Sequence, residues 1–283
     1  MTPQFSIIIP TYNRADGRLQ RALNSIVMQT WRDYECIVVD DGSTDDTRAV
    51  VVEYLETLGQ CQPTQLDPPE HCAEHLRGGR FRYVRHKERS QRVVARNTGH
   101  ALACGAWFGW LDSDDAWDQM YLATFAYHIQ ENPDARLWVC GSVYHGMMTR
   151  QEGKDKVHLV PAWTKIRPAW MPPVDTNGSH PLFPSGHIGT GMFVFHRECY
   201  EKVGPMPPWK HPDHCADGID EWIGLEFGTT GYGSGRRAPV KRGLIGKGHV
   251  GNPWGDDAAM LLALTRQYRV HIIHAALYRH YVR

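Results

Sequence analysis

Asp112, Ser113, Asp114 and Asp115 follow directly on the apolar run Trp107-Phe108-Gly109-Trp110-Leu111. Three carboxylates within four residues repel one another unless a cation or hydrogen-bond donors meet them. At the end of a buried strand such a group suits a hard divalent ion, with a phosphorylated substrate completing its oxygen shell. The same residue types also serve as helix caps, accepting from free amides and complementing the dipole. A second acidic cluster, Asp40-Asp41-Gly42-Ser43, follows another strand-like run, Cys36-Ile37-Val38-Val39. Two strands that end in acids on one edge place a ligand site there, because open α/β sheets bind ligands outside the carboxyl ends of their strands.

The elements that carry these clusters alternate. Phe5 to Ile9 reads as a β-branched strand stopped by Pro10, with Thr11-Tyr12-Asn13-Arg14 as a loop. Leu19, Ala22, Leu23, Ile26 and Val27 recur at helical spacing. Tyr34 to Val39 gives a second strand, and Ser43 with Asp46 three residues on has capping-box spacing ahead of a helix over 47–58. After an irregular stretch come a strand at Phe81 to Val84, a helix beginning near Arg92, a strand at Trp107 to Leu111, a helix from Ala116 to Ile129 and a strand from Leu137 to Tyr144. This alternation predicts a parallel, doubly wound α/β sheet over residues 1–145.

The stretch 59–79 carries Pro63, Pro68, Pro69 and a Gly pair, and is expected to be a surface insertion without regular structure. His71, Cys72 and His75 with Cys61 invite a zinc reading, but Cys-x10-Cys with flanking histidines matches no tight ligand spacing. From Arg77 to Arg96 there are eight Arg or Lys residues. Most are expected on a solvated face. Arg96, beside Asn97 and Gly99, is placed to neutralise substrate phosphate.

Residues 146–255 have a different texture: Gln151 to Pro184 is rich in Pro, Trp and Gly with little periodicity, as expected of loops that shape a substrate face. Within them, Ile188 to Phe195 and Val240 to Ile245 read as strands, and Glu198 to Val203 and Asp217 to Phe227 as helices. The tail, residues 256–283, has a helical pattern with Arg266, Arg269, Arg279 and Arg283 beside apolar residues. It is expected to be a basic amphipathic helix packed on its own domain, with peripheral contact to an anionic membrane surface as the alternative.

The chain has 283 residues, 42% of them hydrophobic, enough for a substantial core, and 31 basic residues balance 31 acidic ones. That balance gives no global argument for a polyanionic partner. A nucleic acid is left to the local basic stripe over 77–96. Seven scattered cysteines, several inside apolar runs, read as reduced thiols in a cytoplasmic protein. No run approaches the ~18 apolar residues that span a membrane.

With these residues in view, the chain resembles the family 2 glycosyltransferases of the GT-A fold. Ser6-Ile7-Ile8-Ile9-Pro10-Thr11-Tyr12-Asn13-Arg14 is similar to that family's opening strand, and Val38-Val39-Asp40-Asp41-Gly42-Ser43-Thr44-Asp45 to its second strand and nucleotide-binding turn. Ala95-Arg96-Asn97-Thr98-Gly99 and Leu111-Asp112-Ser113-Asp114-Asp115 are similar to the helix and Asp-x-Asp motif that follow. Further on, the likeness is looser. Gly189-Thr190-Gly191-Met192-Phe193 with Glu201-Lys202-Val203-Gly204 resembles the acceptor side, Asp220-Glu221-Trp222-Ile223-Gly224-Leu225 the acidic helix, and Lys247-Gly248-His249-Val250-Gly251-Asn252 a late motif that presents a histidine. Glu226 departs from the pattern, standing where many relatives carry Arg.

The resemblance implies an inverting, metal-dependent transfer of a sugar from a nucleoside-diphosphate sugar, with a UDP-sugar as the expected donor. The acceptor is left open among a glycan, a lipid-linked sugar, a protein and a modified nucleic acid. Mn²⁺ or Mg²⁺ is expected on Asp112, Asp114 and His249. Pro10, Thr11, Tyr12, Asn13, Arg14, Asp40, Asp41, Arg96, Asp112 and Ser113 are expected around the donor, and Asp220 as the general base. Two other classes fit paired acids: a nucleotidyl- or phosphotransferase, which here would lack a Gly-rich phosphate loop with Lys, and a non-catalytic nucleotide-sugar-binding protein.

Overall fold

The computed structural model describes residues 2–59, 62–63, 70–145, 147–152, 156–161, 190–206, 260, 263–264 and 267–281. In chain order the elements are β1 (Phe5–Thr11), α1 (Arg18–Val27), β2 (Tyr34–Asp40), α2 (Thr47–Thr57), β3 (Gln62–Pro63), β4 (Cys72–Gly78) and β5 (Phe81–His86). They continue with α3 (Arg92–Leu102), β6 (Trp107–Trp110), β7 (Ala116–Trp117), α4 (Tyr121–Glu131), β8 (Leu137–His145), β9 (Met147–Glu152) and β10 (Lys156–Pro161). A 3₁₀ turn at Thr190–Met192 leads into β11 (Phe193–His196) and α5 (Arg197–Val203), and β12 (Val270–Tyr281) closes the sheet.

Ten strands form one sheet in the order β3-β4-β5-β2-β1-β6-β11-β8-β12-β7, and β9 and β10 form a separate hairpin. The block β5-β2-β1-β6 is parallel throughout. β11 enters antiparallel between β6 and β8. β12 then runs parallel to β8 and antiparallel to β7.

The central strands are buried on both faces, so their side chains divide by parity. Ile7, Ile9, Cys36 and Val38 pack with Leu19, Leu23 and Ile26 of α1, Val51 and Leu55 of α2, and Phe125 of α4. Ile8, Ile37 and Val39 pack on the other face with Val93 and Ala95 of α3 and Cys199 of α5. Each such side chain contributes roughly 1.5–3 kcal/mol when fully buried. A Cβ at Gly99 would lie 2.4 Å from Ile8 Cγ2. That glycine lets α3, which carries Arg96, lie directly on β1.

Several sequence expectations change, among them the strand expected from Ile188, where Thr190–Met192 form a 3₁₀ turn and the strand begins at Phe193. β1 runs through Pro10 to Thr11. Its pairing with β6 ends at Ile8, so the missing amide of Pro10 interrupts no ladder on that side. The stretch expected to be an irregular insertion contains β3 and β4, paired antiparallel with each other and, through β4, with β5. An irregularity between Cys72 and Glu74 hides the strand period. Ala116 and Trp117 belong to β7 rather than to the following helix, which begins at Tyr121.

The largest change is in the tail. Met260, Ala263 and Leu264 are helical, but Val270–Tyr281 is a strand of 12 residues. Its register shifts between Ile273 and Ala276 and again between Ala276 and Tyr278. Those shifts give the buried residues Ile273, Leu277 and Tyr278 the spacing of a helix face. The expected helix over 217–227, the strand over 240–245, Asp220 and His249 lie outside the described residues.

Candidate active site

Thr11, Asp40 and the turn after Trp110 come together because β2, β1 and β6 are adjacent and parallel, so their carboxyl ends share one edge. Thr11 pairs with Asp40 at the last step of the β1–β2 ladder. Its hydroxyl is buried and has no hydrogen-bond partner among the described residues.

The first acidic turn is folded inward. Asp40 is fully buried; its Oδ1 accepts from the Ser43 amide at 2.8 Å, and its Oδ2 from the Tyr83 hydroxyl at 2.6 Å. Arg85 Nε lies 3.7 Å from the same Oδ2. Asp41 Oδ1 accepts from the Ser90 amide at 2.7 Å and from His86 Nδ1–H at 3.0 Å, and Oδ2 accepts from the Gln91 amide at 2.9 Å. Gln91 precedes α3 with φ 91°, a conformation costly for a non-glycine residue and held by this clamp. Gly42 follows at φ 71°, and a Cβ there would meet the Glu88 carbonyl carbon at 2.6 Å. A carboxylate offers about four lone-pair sites, so both aspartates keep some acceptor capacity after these bonds.

Asn13, at φ 50°, joins the first turn to the loop after β1: its amide donates to Ser43 Oγ at 2.9 Å and its Oδ1 accepts from the Thr44 amide at 2.9 Å. The Arg14 amide donates to Thr47 Oγ1 at 2.6 Å. Tyr12 is covered by the guanidinium of Arg89, 4.3 Å from its ring centre.

The second acidic turn sends its three carboxylates to separate partners. Arg96, completely buried, donates from Nη2 to Asp112 Oδ1 at 3.0 Å, with its guanidinium 4.3 Å from the Trp110 ring centre. The Trp110 indole N–H in turn donates to His100 Nε2 at 2.8 Å, and burial together with Arg96 and Arg197 holds that imidazole well below its usual pKa, hence neutral. Arg14 Nη2 meets Asp114 Oδ2 at 3.5 Å, and Arg21 donates to the Asp114 carbonyl at 2.7 Å.

Asp115 is buried and turned toward β12. It accepts from the Tyr278 hydroxyl, from the Tyr281 amide at 2.9 Å, and from His280 Nδ1 at 3.1 Å. The hydrogen bond to Asp115 raises the His280 pKa against the opposing effect of burial, and the charges of Asp115, Asp114 and Asp112 add to the rise.

The structure therefore brings together Pro10, Thr11, Tyr12, Asn13, Arg14, Asp40, Asp41, Arg96, Asp112, Ser113 and Asp114 on one edge. Asp112 and Asp114 keep 23% and 21% of their side chains exposed. These are hard oxygen donors with an open face, and they fit Mn²⁺ or Mg²⁺. Four residues of the site were invisible to sequence reasoning: Arg21, Tyr278, His280 and Tyr281. Arg21 belongs to no motif, and the other three belong to a strand that arrives from 163 residues or more away in sequence.

The sequence description of Glycosyl transferase family 2 matches residues 6–204. An uncharacterised glycosyltransferase of Nostoc sp. is 30% identical over 209 residues, 73% of this chain and 55% of that protein. A PGL/p-HBAD biosynthesis glycosyltransferase of Mycobacterium bovis is 36% identical over 115 residues, 40% of this chain and 36% of its own length. The chain thus spans about half or less of the curated relatives it matches. Among solved structures, S. aureus TarS 1-349 in complex with UDP-GlcNAc superposes with TM-score 0.59 at 15% identity, over 99% of this chain and 59% of that one. At that identity the likeness speaks to the fold, which is GT-A. Among the described residues no helix is long and apolar enough to cross a membrane.

Proposed function

The chain belongs to glycosyl transferase family 2, and from that premise we propose that it moves a sugar from a nucleoside-diphosphate sugar to an acceptor nucleophile with inversion at the anomeric carbon. The observation that carries this reading is the pair Asp112 and Asp114, about one-fifth exposed at the sheet edge and flanked by Arg96 and Arg14. Thr11, with its buried hydroxyl, and Tyr12, with Arg89 over its ring, form the wall on which the donor nucleoside rests. Asp40 and Asp41 shape that wall and offer their remaining lone pairs to base or ribose donors. A divalent cation, Mn²⁺ or Mg²⁺, held by Asp114 with Asp112 and with His249 from the later chain, would supply charge stabilisation to the departing diphosphate. Arg96 and Arg14 orient the two carboxylates and add positive charge beside them.

Asp220 is the proposed general base, taking the acceptor's proton. The sequence supports it through Asp217, Asp220 and Glu221 at the head of an apolar-faced helical pattern. A UDP-sugar is the first donor to test, and the acceptor class follows from the products.

The test is a donor screen that reads released nucleoside diphosphate with and without Mn²⁺, run on wild type and Asp220→Asn. Transfer with inverted configuration, lost on chelation and ~10²–10⁴-fold slower in Asp220→Asn at unchanged donor affinity, is the expected result. Wild-type transfer by Asp220→Asn with chemistry rate-limiting would remove the base assignment, and metal-independent transfer would remove the metal.

A further inference from the structure

His71, Cys72 and His86 form the only group of three His, Cys, Asp or Glu ligand atoms among the described residues that converges in the manner of a metal site: their nitrogens and sulfur all lie within 4.8 Å of one another. None of the three belongs to the acidic turn that carries Asp112 and Asp114. Cys72 and His86 are direct cross-strand partners on β4 and β5. The β4–β5 pairing is extended by the Lys87 amide, which donates to the His71 carbonyl at 2.9 Å. The two imidazoles stand edge to face with centres 5.0 Å apart.

We propose that this cluster is a binding site for a zinc-class ion, with His71 Nε2, Cys72 Sγ and His86 Nε2 as protein ligands and water in the fourth position. Both Nε2 atoms are aimed at one point, because the Thr98 hydroxyl lies 2.9 Å from that of His71 and 3.1 Å from that of His86. With His86 Nε2 accepting the single Thr98 hydroxyl proton, His71 Nε2–H donates to Thr98, and moving that His71 proton to Nδ1 gives the two convergent lone pairs a tetrahedral nitrogen and sulfur site requires. His86 also has the outer partner typical of a zinc-bound histidine: its Nδ1–H donates to Asp41 Oδ1 at 3.0 Å, which fixes the tautomer that leaves Nε2 free to bind.

The donor set is soft and borderline, unlike the all-oxygen pair at Asp112 and Asp114, so the two sites select different ions. Tetrahedral zinc needs its ligand atoms about 3.4–3.7 Å apart. Binding draws the three ligand atoms together by side-chain rotation, with most freedom at the exposed His71. On binding, the Cys72 thiol gives its proton to solvent, and the Thr98 hydroxyl moves from the imidazoles to the metal-bound water. The ion ties β4 to β5 and, through the His86–Asp41 hydrogen bond, to the start of α3.

Spacing in sequence failed to show this site, since the ligand that completes it is His86 across the hairpin, and not His75 along the chain.

Co²⁺ and Zn²⁺ titrations of the full chain, in excess Mg²⁺ to occupy hard-oxygen sites, test the proposal. Wild type should bind one Zn²⁺ tightly, melt at a higher temperature with it, and show a near-ultraviolet thiolate-to-cobalt charge-transfer band. Cys72→Ser should lose the band. His71→Ala, on an exposed side chain that leaves folding intact, should weaken Zn²⁺ at least about 10-fold. Zinc binding and the cobalt band unchanged in both variants, or no stoichiometric Zn²⁺ on wild type, would leave Asp41, His86, Thr98 and His71 as a hydrogen-bonded chain only and overturn the proposal.

Discussion

Asp40 and Asp41 on one turn and Asp112 and Asp114 on the other end adjacent parts of the same sheet edge, yet their charges are used differently. The first pair is buried and accepts from two side chains and three backbone amides. The second pair is about one-fifth exposed, and each carboxylate meets an arginine. A buried carboxylate surrounded by amides fixes backbone, here the tight turn at Gly42 and the strained entry to α3. A partly exposed carboxylate paired with a guanidinium can exchange that partner for a ligand, because its desolvation is incomplete. The first turn builds the pocket and the second presents chemistry to it.

The largest effect that would break this contrast concerns the exposed pair. Asp114→Ala should reduce sugar transfer by about 10³-fold, several kcal/mol of transition-state stabilisation. Its unfolding free energy should stay within about 0.5 kcal/mol of wild type. Steady-state kinetics and urea unfolding on one preparation decide it; a large stability loss with intact turnover would reverse the roles given to the two turns.

Asp41→Ala tests the other side. It strands the Ser90 and Gln91 amides and His86 Nδ1–H in the interior, and should cost about 3 kcal/mol of stability. Hydrogen exchange should show the start of α3 opening first. A smaller effect, about 2 kcal/mol, is expected of Gly42→Ala, where φ is +71° and the added Cβ meets backbone at 2.6 Å. An unchanged urea midpoint in either variant would show that the first turn does not hold the fold.

The smallest effect sharpens the role of the third carboxylate, Asp115. His280 has its pKa raised by Asp115, so its contribution is full below about pH 6.5 and is lost as pH rises through the raised value. With the imidazole side chain 39% exposed, solvent screening limits this to about 0.3 kcal/mol. Urea midpoints of wild type should decline slightly above about pH 6.5, and His280→Gln should remove that slope. An identical slope in the variant would assign the pH dependence elsewhere.

The alternation of β1, α1, β2, α2, β5, α3, β6, α4 and β8 and the grouping of Asp40 and Asp112 on one edge could be read from the order of residues, whereas β3, β4 and β7 could not. Each depends on local periodicity and on the rule that adjacent parallel strands end together. The uses of the charges could not be read this way. Arg14 reaches Asp114 across 100 residues and His280 reaches Asp115 across 165, contacts that no local pattern encodes. β12 hid for a related reason: register shifts at Ala276 give a bulged strand the apolar spacing of a helix, and only pairing with β8 and β7 selects the extended form. The chain alone determined which residues could do chemistry and where the sheet would gather them. Tertiary packing decided which of those charges are held inside as structure and which remain open to a ligand, because burial and the partner that accompanies it are properties of the folded neighbourhood.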